Sequence, residues 1–468
     1  MQLCGIIATA IKTFLKIFYK ILCLLGYNVY ICNHNRDSAQ SLIERINLNS
    51  HLKLNIMTKT NHLMILILLL GMVGCQSHDE LASSPDIGGD KSALSEVRSI
   101  EDAIEIANNV MELLATTPEQ TRNLEVRKVK SVSCVGSEAA TRSEATDSLL
   151  YLINYDDDLG FAVIGRSVYS RPLYAFSDSG SISMTDTIKN KGLAMFFEDT
   201  FNDLAIGGDL IPINPNPIYV ANRVDPLLNE NVAKWDQEYP FNQSAPYVNG
   251  VQGLTGCGPV AVGMLLTYYR YPSVIGTKKI NWDNLMNNDY EEISQYLEAL
   301  ASPQYLNSYY LKESSGRATP YENFIPAFKK LGLDTTYNWN YARFLDKRRE
   351  LYSFMKMGYR AGGSVVCMPA PVIFYGGRIT VDGIIEEEKY HVWIVDGYMD
   401  MATRNGIDPE SIEQDPYLHC VWGAGGGSNG YFLYSRVNDT MANKNGEVNR
   451  YGYKMCKMIG RLGVPESK

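Results

Sequence analysis

The sequence predicts an α+β protein: a small α+β domain near the amino end, then a larger one from about residue 234. Three observations carry this expectation. An amphipathic helix followed by hairpin-like strand pairs fills about 95–210, a helix begins directly behind a cysteine at 257, and β-rich runs recur at "GSVVCMPAPVIFYG", "YHVWIVDGYM" and "GYFLYSRV".

The 468 residues, 45% hydrophobic and 20% charged, suffice for two or three ordinary globular cores. A formal net charge of −9 and the lack of a Lys/Arg stripe interleaved with aromatics argue against nucleic acid as a partner. The nine cysteines are scattered without paired metal-ligand spacing. They suggest neither a disulfide framework nor a zinc site, and no metal or cofactor is implied.

Near the amino end, "MTKTNHLMILILLLGMVGC" at 57–75 has a start methionine, Lys59, an apolar run from Leu63 to Leu70, and small residues before Cys75. The run is too short to span a bilayer comfortably and suits a removable signal. Its ending resembles a bacterial lipoprotein signal. That implies acylation of Cys75, export, an outer-membrane or cell-surface location through the lipid, and a polar tether over 76–98. Met57 is then expected to be the true start and residues 1–56 a mis-assigned extension. An anchor within 1–56 is the alternative, although Lys12, Lys16 and Lys20 interrupt it.

The domain expected over 99–210 opens with "SIEDAIEIANNVMELLA", in which Ser99 is placed to cap and Ile100, Ala103, Ile104, Ala107, Val110, Leu113 and Leu114 form the apolar stripe. Asp/Gly-rich turn chemistry then separates the β-prone runs of "SLLYLINYDDDLGFAVIGRS". Prolines at 212, 215 and 217 are expected to keep 211–233 out of helix and sheet, as a linker open to processing.

Cys257 lies between two glycines, with Pro259 at the start of an apolar run that must end before Pro272. A cysteine at a helix N-terminus faces unpaired N–H groups and a favourable dipole, so its thiol pKa is expected to fall and its sulfur to act as a nucleophile. The flanking Gly256 would let substrate backbone approach. Cys367, Cys420 and Cys456 read as buried inert thiols.

Downstream of the signal the histidines are His78, His391 and His419. His391 opens an alternating strand on one face with Trp393 and Val395, and is the stronger general acid/base. Asp396 should point to the other face and not orient it.

These residues resemble the streptopain-like family of secreted bacterial cysteine peptidases, of papain-like fold. "WDQEYPFN" (235–242), "TGCGPVAVGMLLTYYRYP" around Cys257, "HVWIVDGY" (391–398) and "WGAGGGSNGYF" (422–432) occur in the family's order, and "LLYLINYDDDLGFAVIGRSVYSRPLYAFSDSGSI" looks like its inhibitory propeptide. The 134 positions from Cys257 to His391 suit papain-like enzymes, for which roughly 130–150 are expected. The resemblance implies a papain-like cysteine peptidase domain over 234–468 behind an inhibitory propeptide. In it Cys257 is the nucleophile, His391 the acid/base, Gln237 an oxyanion-hole donor, Trp422 a shield for the histidine, and Gly425, Gly426 and Gly427 a cleft wall. Its partners would be protein or peptide substrates and its own propeptide. It also implies an apolar preference one residue before the scissile residue.

Two departures stand out. Val421 and Ala424 replace an asparagine and a second tryptophan usual in the family, and Lys389-Tyr390 replace small residues before His391. They leave the third catalytic position open, and with it a catalytically degenerate peptidase that binds peptides or a partner protease without cutting. A cell-wall peptidase or amidase is a further alternative.

Overall fold

Ser99 caps as its spacing predicts: its hydroxyl accepts the Asp102 N–H at 3.0 Å and opens α1 (Ile100–Leu114). The buried stripe of α1 runs through Ala103, Ile106, Ala107, Val110, Met111 and Leu114, whereas Ile100 is exposed. Four antiparallel strands follow, β1 (Val129–Val135), β2 (Leu150–Tyr155), β3 (Phe161–Gly165) and β4 (Leu173–Ser177). The turn between β2 and β3 uses the expected chemistry, with Asp157 and Asp158 at φ 54° and 53° and Gly160 at φ 116°. Next comes α2 (Lys191–Ala205), which buries Leu193, Phe196, Phe197 and Phe201. Asn190 caps it by accepting the Leu193 N–H at 2.9 Å.

The computed structural model describes residues 97–116, 118–136, 148–205, 213–312, 314–339, 348–379, 385–405, 412–437 and 453–465. The signal segment, Cys75 and nearly all of the tether lie outside them.

In the second part, α3 (Cys257–Tyr269) is crossed by α4 (Tyr290–Ala301). The approach is so close that a Cβ on Gly263 would lie 2.6 Å from Leu297. Cys257 through Thr267 of α3 are all buried, because α4 covers one flank and the sheet the other. The remaining strands of the main sheet are β5 (Ile213–Val224), β6 (Val372–Ile379), β7 (Ile385–Asn405), β8 (Ile412–Val421), β9 (Gly430–Leu433) and β10 (Tyr453–Ile459).

One ten-stranded sheet contains them all, in the order β1-β2-β3-β4-β9-β8-β7-β6-β10, with β5 paired to β7. The expected amino-terminal domain therefore shares a sheet with the larger one. They join where Phe176 and Ala175 of β4 pair with Tyr431 and Phe432 of β9. Aromatic contacts fill that seam: Phe176 stacks on Tyr431 at 5.2 Å, and Phe432 meets Phe196 edge-on at 4.9 Å. Such pairs contribute about 0.5–1.5 kcal/mol each beyond the area they bury. Buried Arg436 and Asp203 form an ion pair across the same junction.

The expectation that 211–233 stays outside the sheet is corrected here. β5 pairs along β7 from Tyr398↔Val224 to Asn405↔Ile213, with Pro217 opposite Thr403. Among the described residues β5 has a neighbour on one side only, and an edge strand tolerates residues with no N–H to donate.

Side chains alternate along β7. Trp393 and Val395 join the core under α1 and α2, while Tyr390, Val392 and Ile394 join the core around α3 and α4. This division places the candidate site between two packed layers.

Candidate active site

Gly256, at φ 92°, lets the chain turn into α3, so that Cys257 is the first residue of the helix. Its Sγ receives the Val392 N–H and faces the N–H groups of Cys257 and Gly258. The sequence predicted a lowered thiol pKa at this position, but in this state burial pushes the Cys257 thiol up. Burial outweighs those N–H groups and the Lys191 ammonium. Lys191 is the first residue of α2, so part of the Cys257 environment is supplied by the amino-terminal domain.

His391 is 2% exposed, and its ring lies parallel to Trp393, 6.2 Å away and tilted by 10°. Its Nε2 donates to the Trp422 carbonyl at 2.7 Å. Because a carbonyl can only accept, the proton is fixed on Nε2 and the lone pair of neutral His391 is left on Nδ1. The orienting role left open by Val421 is thus taken by a main-chain oxygen, and Val421 itself is buried core. Asn429 holds that peptide: its Oδ1 accepts the Trp422 N–H at 3.1 Å and its Nδ2 donates to Ala233 at 2.9 Å. Asp396 pairs with His419 at 2.6 Å, not with His391.

Burial also pushes the His391 pKa down, to about 4 from an ordinary 6.5, with the Trp422 carbonyl opposing and the Lys191 charge adding to the shift. The opened or unfolded chain therefore binds the proton better than the docked one. The stability that neutral His391 contributes is complete above about pH 6.5 and is lost as pH falls toward 4. The melting temperature of the full chain should fall across that window more steeply than that of a His391→Gln variant; equal slopes would contradict the shift.

A cavity of about 240 Å³ brings together Cys257, His391 and Gln237 with Tyr390, Arg317 and Ala424. Gln237 is half-buried, and its Nε2 donates to the Gly423 carbonyl at 3.4 Å. Trp422 is fully buried, with its indole N–H bound to the Ser428 carbonyl at 3.1 Å. Gly425 and Gly426, at φ 78° and 83°, lie against Asp236 and Lys234, and Ala424 lines the cavity. Cys367 and Cys420 are buried, as expected of inert thiols, and the Cys456 side chain lies outside the description.

Sequence reasoning missed the start of α2. Ile188, Lys189 and Lys191 line the same cavity, and Lys189 reaches Glu238 at 2.7 Å. A Cβ on Gly192 would sit 2.5 Å from the Trp422 ring and 2.7 Å from His391 Cδ2. Among the described residues no hydrogen bond joins Cys257 Sγ to His391. The one advance signal was a glycine inside a helix start, which costs about 1 kcal/mol against alanine and so needs a packing reason.

Overpacking at Gly192 should therefore loosen α2. A Gly192→Leu change is expected to cost about 1–3 kcal/mol of docking, raising the open population by about 5- to 150-fold. The rate at which a small thiol reagent labels Cys257 in the intact chain reads this directly. An unchanged rate would mean that α2 does not gate the thiol.

A nucleophile turn, a tautomer-fixed histidine and an amide donor around one cavity, all covered by an upstream helix, define a cysteine peptidase held under an inhibitory domain. Residues 235–432 match the Peptidase C10 family, and residues 94–203 match the Spi protease inhibitor. The chain thus carries a C10 peptidase domain of the streptopain family behind a propeptide inhibitor domain. Among solved structures it is similar to a Cys-to-Ala mutant fragment of Prevotella intermedia prointerpain A, at 17% identity over 72% of this chain and 100% of that one, with a TM-score of 0.48. It is also similar to active wild-type interpain A cysteine protease of the same organism, at 16% identity over 51% and 95%, with a TM-score of 0.35. Comparison with curated proteins gives no match.

Proposed function

We propose that this zymogen is an endopeptidase in which Cys257 and His391 carry the chemistry and the 99–210 domain blocks it until it is removed. The observation that carries the reading is the shared cavity, in which Cys257 begins a helix and His391 keeps Nδ1 free by donating Nε2–H to Trp422. Once α2 withdraws, Nδ1 takes the thiol proton and Sγ attacks the peptide carbonyl. The oxyanion forms near the Cys257 N–H and the Gln237 amide. Nδ1 then passes its proton to the leaving amine. Water, deprotonated at Nδ1, cleaves the thioester and restores the thiol.

Removing α2 also removes Lys191 and much of the burial, the two influences that hold His391 neutral. His391 then takes the thiol proton more readily, while at Cys257 the loss of burial, which lowers the thiol pKa, works against the loss of Lys191, which raises it. A thiol-reactive peptide probe should label Cys257 slowly in the intact chain and rapidly after the amino-terminal domain is cut away. Failure to label the processed form would overturn the reading in favour of a peptide binder.

The signal-like 57–75 segment and the polar run after Cys75 support export as a lipid-anchored precursor at the outer membrane or cell surface. Loss of the protein from the membrane fraction in a Cys75→Ser variant would test the anchor. Protein or peptide chains are the substrates of this reading.

A further inference from the structure

One side of the cavity is apolar and is not used by the catalytic groups: Leu254, Leu311, Ala318 and Tyr390 form it. Tyr390 comes from β7, one residue before His391, and is 8% exposed. Three contacts hold its ring. It stacks on Tyr375 at 4.9 Å with 19° between the planes, its hydroxyl receives the Thr319 N–H at 2.6 Å, and the same hydroxyl donates to the Thr319 carbonyl at 3.4 Å. Thr319 in turn is wedged against the first turn of α3, where a Cβ on Gly258 would lie 2.4 Å from its Oγ1.

The ring is therefore fastened to the turn that presents Cys257. Swinging it aside would break two hydrogen bonds and a stack. Every one of these contacts lies within the peptidase domain, so withdrawal of α2 leaves the wall where it is.

We propose that Tyr390 is a specificity-determining residue: its tethered ring closes the apolar side of the cavity to branched and aromatic side chains, so that the peptidase selects peptides presenting a small one there, such as glycine, alanine or serine. This rests on the cavity being the peptide-cleaving site.

The test uses the full chain after processing and a set of otherwise identical fluorogenic peptides. Alanine, leucine or phenylalanine is placed in turn at each of the two positions before the scissile bond. The wild type should favour alanine at one of these positions by about tenfold or more in kcat/KM. Tyr390→Gly should abolish or invert that preference at the same position, whereas Tyr390→Phe, which keeps the ring, should retain it. Tyr390→Val keeps a β-branched residue in the strand and gives the same reading if the glycine variant does not fold.

An unchanged preference in the shortened variants, or a wild type that takes phenylalanine as readily as alanine at both positions, overturns the proposal while leaving the peptidase reading intact. A processed wild type that cleaves none of the peptides and resists a thiol probe overturns the underlying reading, and the proposal with it.

Discussion

Replacing Cys257 with alanine lowers kcat on peptide substrates by about 10⁶-fold, the scale seen when a covalent nucleophile is removed from a protease. Among the described residues no other thiol lines the cavity: Cys367 and Cys420 are buried elsewhere. The fold should survive, since the change removes one buried sulfur whose partner is the Val392 N–H. Steady-state hydrolysis beside a thermal melt separates the two effects. A folded Cys257→Ala protein retaining measurable turnover would place the nucleophile elsewhere.

Gln237→Ala should cost about 10²–10³ in kcat, the loss that follows removal of one oxyanion-hole donor, with little change in KM. The amide is on the cavity wall but engaged with the Gly423 carbonyl at 3.4 Å, a long bond that is readily exchanged for an oxyanion at close range. A donor aimed at the oxyanion acts in the transition state, so the effect should show in kcat. A fall of less than about threefold would mean that main-chain N–H groups at the start of α3 suffice.

Local chemistry made much of this legible in advance. The Ser99 cap, the Asp/Gly turn after β2, the start of α3 at Cys257 and the alternation that sets His391 beside Trp393 all follow from residues within a few positions of one another. What the sequence hid depends on distant partners. The prolines of β5 read as a break because its place at an edge of β7 is set by the sheet, not by the segment itself. The shifts at Cys257 and His391 depend on burial in the assembled structure and on Lys191, which lies 66 residues upstream of Cys257. Trp422 orients His391 through its carbonyl, and a backbone atom leaves no trace in residue type. Tyr390 was visible only as a departure, and its tether to Thr319 gave that departure a physical meaning.

The central claim is that one chain holds both a cysteine nucleophile and the domain that silences it. Intact mass followed over time tests this most directly, with the full chain and its Cys257→Ala variant held side by side under reducing conditions. The wild type should shorten to a species beginning between about 208 and 233 while the variant stays whole. If neither shortens, and the domain freed by an added protease cannot be labelled by an active-site probe, the chain is not the peptidase described here.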